Sequence, residues 1–424
     1  MKRKKYIYII IICICIINLF GCSQKKDYVS EYNFETDYQY SYDCSVSGMR
    51  NIQSDGEGQF ITVDNYVYYH NNATDEIALL CSKINCLHNQ ETDSERKADC
   101  NAYVGGCVSD EEVINTCDAI QYYDGNIYYV NGNCLYRVSK DGSDKDKIFK
   151  TDDELAINDW VIHRGVFYYQ VQPYINEEGV DTYAKYIIKA IEISNVMKEN
   201  KAEILFETSD ELDAIGFSSF NAYKDYVSFG YLANSKGKTT SSNKEWVSNV
   251  ISVFYILDTK NNKLTLLETP EGYTNTTKVS GIAFLEDKIL IKLYENAEDE
   301  NYKLPIYCVD YNMNNWQIWK EDISQGYELQ AYNNYAILQN SGAIENIGNK
   351  KAVSNYMIYD DSGKLVTEYT CPTFGAVGLC GVGPDGKQVL FEDDESETDI
   401  YILDVDEMIS SKKKEAVPRK VDGI

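Results

Sequence analysis

Cys81, Cys86, His88 and Cys100 fall close together in the chain, so three thiols and an imidazole share one short segment. Two chemistries suit such a group. A disulfide closing a loop of about 15 residues contributes roughly 3 kcal/mol in the chain-entropy account. Alternatively, four donors of this kind can fill the tetrahedral shell of a structural zinc ion. Free or mixed thiols are the third reading. The four residues between Cys81 and Cys86 match the wide end of zinc-ligand spacing, and the single residue between Cys86 and His88 is tighter than in zinc fingers. The alternatives therefore stay open at this level. Each of them is structural, because a filled shell leaves no open position for catalysis.

Other reactive constellations are scarce. Only three histidines occur, His70, His88 and His163, and none has a partner at metal-binding helical spacing. There is no H-E-x-x-H, no G-x-S-x-G and no phosphate-binding glycine loop. His163 next to Arg164 reads as a surface histidine at a strand-to-strand turn. The acidic run from Glu392 to Asp399 lies between two apolar strands and reads as a solvated hairpin loop. Calcium would need its oxygens to converge. Paired carboxylates of a carbohydrate-active hydrolase or lyase cannot be picked out among 67 acidic residues.

These residues must be held by β-structure. A turn residue followed by an apolar, aromatic strand recurs along the chain. Strong copies are Asn65-Tyr66-Val67-Tyr68-Tyr69, Gly125-Asn126-Ile127-Tyr128-Tyr129 and Gly165-Val166-Phe167-Tyr168-Tyr169. Weaker ones begin at Asp225, Asp287, Asn334 and Gly386. Successive copies are 40 to 62 residues apart, about the period of propeller blades. A second strand follows most of them, as in Cys134-Leu135-Tyr136-Arg137-Val138 and Ile400-Tyr401-Ile402-Leu403-Asp404, and then a turn such as Asp141-Gly142. The grammar is strand, turn, strand. Helical periodicity is confined to Asp110–Cys117 and Ile191–Glu199. We expect an all-β, seven-bladed β-propeller, within a range of six to eight blades. Closing such sheets into a ring hides apolar faces that no single blade can cover. The 37 tyrosines suit that role, with rings between blades and hydroxyls at a polar rim.

The N-terminus carries an address. Lys2, Arg3, Lys4 and Lys5 precede an apolar stretch from Tyr6 to Phe20. Fifteen residues at about 1.5 Å each span about 22 Å, short of a ~30 Å bilayer core, which fits an export signal. The run ends in Leu19-Phe20-Gly21-Cys22, which resembles the bacterial prolipoprotein lipobox. That resemblance implies cleavage after Gly21, lipidation of Cys22, and a location on the extracytoplasmic face of the cell membrane. Cleavage would remove four cations and no acid, leaving 36 against 67, or −31. Such a surface is repelled by nucleic acid and anionic lipid, so anchoring falls to the acyl chains. Cys13 and Cys15 would leave with the signal. Of the remaining cysteines, Cys107, Cys117, Cys134, Cys371 and Cys380 are further disulfide candidates, as expected of an exported chain.

The stretch from Tyr123 through Tyr128-Tyr129 and Leu135-Tyr136-Arg137-Val138 to Asp141-Gly142-Ser143 resembles an exported β-propeller repeat domain. That domain is related in pattern to the YWTD propellers of lipoprotein receptors and occurs in lipoproteins of Gram-positive bacteria. The match is strongest over residues 121–150. The segment from Cys81 to His88, with Cys100 beyond it, also resembles a cysteine-histidine signature near the start of such lipoproteins. The resemblance implies a binding or scaffolding role and brings no catalytic residues with it.

The expected organisation is a signal peptide at 1–21, a lipidated cysteine and tether at 22–54, and a propeller at 55–410. A Cys-rich insertion occupies about 81–118, and a polar tail 411–424. Expected partners are the membrane, through the anchor, and a glycan or envelope protein engaged by loops in 81–118, 171–185 and 232–249. No cofactor is expected beyond structural zinc or calcium, and the competing reading is a propeller hydrolase or lyase.

Overall fold

The computed structural model describes residues 33–37, 52–105 and 119–423, apart from 153–154, 178–179, 184, 197–200, 209–213, 216–219, 235–249, 269, 271–277, 295–301, 341–352, 373–380 and 395–396. Among the described residues, seven antiparallel sheets of three to five strands follow one another and form a seven-bladed β-propeller, and a two-stranded hairpin, Tyr174–Glu177 with Val180–Tyr183, is inserted in the third blade. The second blade shows the plan, with strands Ile120–Tyr123, Asn126–Asn131, Cys134–Ser139 and Lys145–Lys150 paired in chain order. First strands of successive sheets lie against one another, as Ile52–Ser54 does on Ile120–Tyr123. They are therefore the innermost strands, around the axis. Second strands such as Val166–Val171 are buried on both faces, whereas Glu203–Glu207 and Gln317–Ser324 at the outside are largely exposed. Charge on those outer strands, including Lys320 and Glu321, guards the edges against stray pairing.

The repeat copies fall on second strands in blades two to six, the copy at Gly386 falls on the first described strand of the seventh, Lys387–Asp394, and the copy at Asn65 falls on a third strand. Tyr66–Asn71 is the third strand of the first blade, because Ile52–Ser54 and Gly58–Val63 precede it in the sheet. The true second strand, Gly58-Gln59-Phe60-Ile61, lacks the tyrosine doublet and escapes the pattern. The propeller thus includes Ile52–Ser54, within the segment expected to be tether. It also runs past residue 410, since Arg419–Val421 is the outer strand of the seventh blade. Between them, Val405–Ser411 is a short helix capped by the Asp404 side chain, which accepts from the Glu407 amide at 2.8 Å. The expected helix at Ile191–Glu199 begins instead inside the strand Ile187–Glu192. The other expected helix, 110–117, lies outside the described residues.

Ring closure joins the first blade to the last. Ile52 and Ile61 pack with Val389, Ile400, Ile402 and Val421 in one buried cluster. A polar seam runs beside it. Asp385 accepts from Gln59 and, at 2.7 Å, from the Asn72 amide. Gln59 meets His70 Nδ1 at 2.9 Å, and His70 Nε2 meets Asp75 at 2.8 Å. Arg419 then reaches Asp75 from the seventh blade. His70 is fully buried in this seam. Gly58 pairs opposite Asn71, and a Cβ at Gly58 would lie 2.2 Å from the His70 carbonyl oxygen. We expect Gly58→Ala to cost about 2 kcal/mol or more, since overpacking forces the backbone apart. Urea unfolding measures it, and unchanged stability would reject this close approach.

A second anchor ties residues 33–37 to the ring. The carboxylate of Asp37, 1% exposed, accepts two bonds of 2.7 Å from Nε and Nη2 of Arg164. Arg164 also pairs with Asp225 of the next blade's turn. Beneath them His163 is 2% exposed, with Nε2 at 2.6 Å from the Lys224 carbonyl. The expected surface histidine is therefore a core histidine, because the Asp37 segment covers the turn that carries it.

Candidate metal centre

The fourth strand of the first blade, Ile77–Leu79, has only three residues. The chain after it compensates by folding back over the gap. Ala102 and Val104 bond to the strand edge, with Val67 N to Ala102 O at 2.8 Å and Val104 N to Asn65 O at 2.9 Å. Cys100, Asn101, Ala102 and Val104 are all buried, and three of them join the core between the first two blades. Residues 100–104 of the insertion are thus built into the fold.

Its attachment to the second blade uses the Asp141-Gly142-Ser143 turn. Asn101 Nδ2 donates to the carbonyls of Gly142 and Ser143 at 2.8 and 2.9 Å, and Ser82 N donates to Gly142 O at 3.1 Å. Gly142 adopts φ +69°, and a Cβ there would sit 2.6 Å from the Leu80 carbonyl carbon, so glycine is required. The Lys145 ammonium gathers the carbonyls of Ala98, Cys100 and Tyr103 at 2.7 to 3.0 Å. That set of bonds fixes the backbone around Cys100.

On this frame the four sequence-marked residues converge. The ligand atoms of Cys81, Cys86, His88 and Cys100 all lie within 4.8 Å of one another. His88 Nδ1 is 3.7 Å from the Cys100 sulfur. Left-handed backbone at Asn85 (φ 64°) and His88 (φ 52°) brackets Cys86 and makes the tight Cys86-x-His88 spacing workable. The Tyr66 hydroxyl holds the His88 carbonyl at 3.1 Å. All three thiols are free cysteines. Burial and the neighbouring thiols push the Cys100 thiol up to about 12. Burial acts against ionisation at Cys81 too, but amides of Lys83 and Asn101 aimed at its sulfur bring its pKa below the usual thiol value. The group can therefore serve as a four-donor shell for a soft, tetrahedral cation.

The other candidates are dispersed. Cys134 is buried in the second blade with its thiol 3.2 Å from Asn133 Oδ1, and Cys371 is buried in the sixth. Cys22, Cys107, Cys117 and Cys380 lie outside the described residues. The acidic run forms the expected hairpin, with Glu392 opposite Asp399 and Asp394 opposite Glu397. Among the described residues no helix is long and apolar enough to cross a membrane. Sequence reasoning finds all four centre residues. It misses Lys145 and Asn101, whose roles depend on contact between two blades.

No family model matches the sequence, and no curated protein matches it. Solved structures share its fold at low identity. An oligogalacturonate lyase from Vibrio parahaemolyticus superposes with a TM-score of 0.51 at 13% identity, covering 88% of this chain and 93% of that one. The tricorn protease superposes with a TM-score of 0.50 at 8% identity, covering 90% of this chain and 35% of that one. What this chain shares with both is the propeller fold.

Proposed function

We propose that this chain is a lipid-anchored, extracytoplasmic propeller that serves as an interaction module at the bacterial cell envelope, with an envelope protein as partner. The N-terminal address, from the Lys2–Lys5 cations through the apolar run to Cys22, supports the location. One observation carries the binding role. Ile84 is 90% exposed and Leu87 54% exposed, on a loop whose flanks are fixed to two blades. Large apolar side chains held in water on a rigid support suit an apolar pocket on a partner. Binding surfaces of this kind characteristically sit on loops raised from a rigid scaffold.

The test is crosslinking in the producing cells, comparing the native chain with an Ile84→Asp, Leu87→Asp variant. Both changes lie at exposed positions, so we expect an unchanged melting temperature. Losing two apolar anchors costs about 2–4 kcal/mol of binding, or roughly 30- to 1,000-fold. Identical partners for both chains would overturn the proposal. So would turnover of polysaccharides, oligogalacturonides included, by the purified protein, which would favour the lyase or hydrolase reading.

A further inference from the structure

We propose that Cys81, Cys86, His88 and Cys100 bind one zinc ion through three thiolates and the Nδ1 atom of His88. Geometry separates this reading from the disulfide one. Zinc bonds of about 2.3 Å to sulfur and 2.0–2.1 Å to nitrogen, at the tetrahedral angle, put the two ligand atoms about 3.6 Å apart. The structure places His88 Nδ1 3.7 Å from the Cys100 sulfur, with all four ligand atoms within 4.8 Å. A disulfide would draw one pair of sulfurs to about 2.05 Å and leave the third thiol and the imidazole with no role.

The frame supplies an independent argument. Lys145 and Asn101 fix the backbone around Cys100, and the Tyr66 hydroxyl holds the His88 carbonyl at 3.1 Å, so the four ligand atoms are brought together by bonds outside the group. Three sulfurs this close would repel one another as thiolates unless a cation sat among them. The soft, thiolate-rich tetrahedral set selects zinc over calcium or magnesium. All four positions are filled by protein, so the ion is structural, joining Cys81 after the short fourth strand to Cys100 in the core between blades.

The test uses the full chain, purified without reductant under nitrogen and analysed by elemental mass spectrometry and non-reducing peptide mapping. We expect about one zinc per chain, released together with three alkylatable thiols, as metal-coupled folding requires. Replacing zinc with cobalt(II) should give sulfur-to-cobalt charge-transfer bands and the intense d–d bands of a tetrahedral site. His88→Ala should change the cobalt spectrum, and Cys86→Ser should lower bound zinc about tenfold or more. Unaltered zinc content in Cys86→Ser would overturn the assignment, as would an S–S bond among Cys81, Cys86 and Cys100. If the variants fail to fold, the cobalt spectrum of the native chain decides alone: octahedral, weak bands refute the site.

Discussion

Arg164→Met should destabilise the propeller by about 3–5 kcal/mol, the usual cost of removing one partner from a buried ion pair. Among the described residues, Arg164 is the cation that meets both carboxylates of its cluster. It donates two bonds of 2.7 Å to the buried Asp37 carboxylate and pairs with Asp225 across the blade boundary. Without it, those two carboxylates would face each other over His163 with their shared counter-charge gone. Asp37 would have to return to water, taking the 33–37 segment off the turn. A second variant separates loss of charge from loss of docking. In Asp37→Asn, Arg164 keeps Asp225, so we expect a smaller cost, about 1–2 kcal/mol. Urea unfolding of the two variants measures the difference. Equal costs would mean that the Asp37 pair carries the whole effect and that Asp225 adds nothing. A cost for Arg164→Met below about 1 kcal/mol would place the pair among exposed salt bridges, where such values are ordinary.

How far the sequence reveals this architecture depends on what each element needs from its neighbours. Second and third strands in most blades announce themselves because a turn residue and an aromatic doublet are local requirements. The first blade hides its register. Its second strand, Gly58–Val63, carries no tyrosine, and the doublet sits instead on Tyr66–Asn71. Its opening strand, Ile52–Ser54, is only three residues long, too short for any period to register. The seventh blade draws its outer strand from Arg419–Val421, after a helix, and nothing local marks Arg419-Lys420-Val421 as a strand. For the Cys81–Cys100 group, residue types and spacing are enough to single out the four side chains. They are not enough to choose between a covalent and a coordinate bond, because that choice rests on distances set by Lys145, Asn101 and Gly142. The burial of His163 is illegible for the same reason: its cover comes from Asp37, more than a hundred residues earlier.

That burial gives the protein an acid limb whose size can be stated. The histidine ring is enclosed, so charging it means removing an imidazolium from water. Burial is the largest influence, and it pulls the pKa from 6.5 to about 4. Asp37 and Asp225 favour the charged form and Arg164 opposes it, while the neutral ring donates from Nε2 to the Lys224 carbonyl. The unfolded chain therefore binds a proton near pH 6.5 that the native state refuses until about pH 4. Between those values unfolding takes up a proton, so stability falls as pH falls. At about 1.36 kcal/mol for each pH unit across that window, the loss is about 2 kcal/mol by pH 5 and about 3 kcal/mol by pH 4. His163→Gln keeps a donor for the Lys224 carbonyl and cannot be charged. Carboxylates elsewhere titrate in the same range, so the informative quantity is the difference between native and variant chains. We expect the His163→Gln chain to gain on the native one by about 2 kcal/mol between pH 7 and pH 5, measured by urea unfolding at each pH. Parallel profiles would show that water reaches the ring and that the 33–37 segment does not seal it.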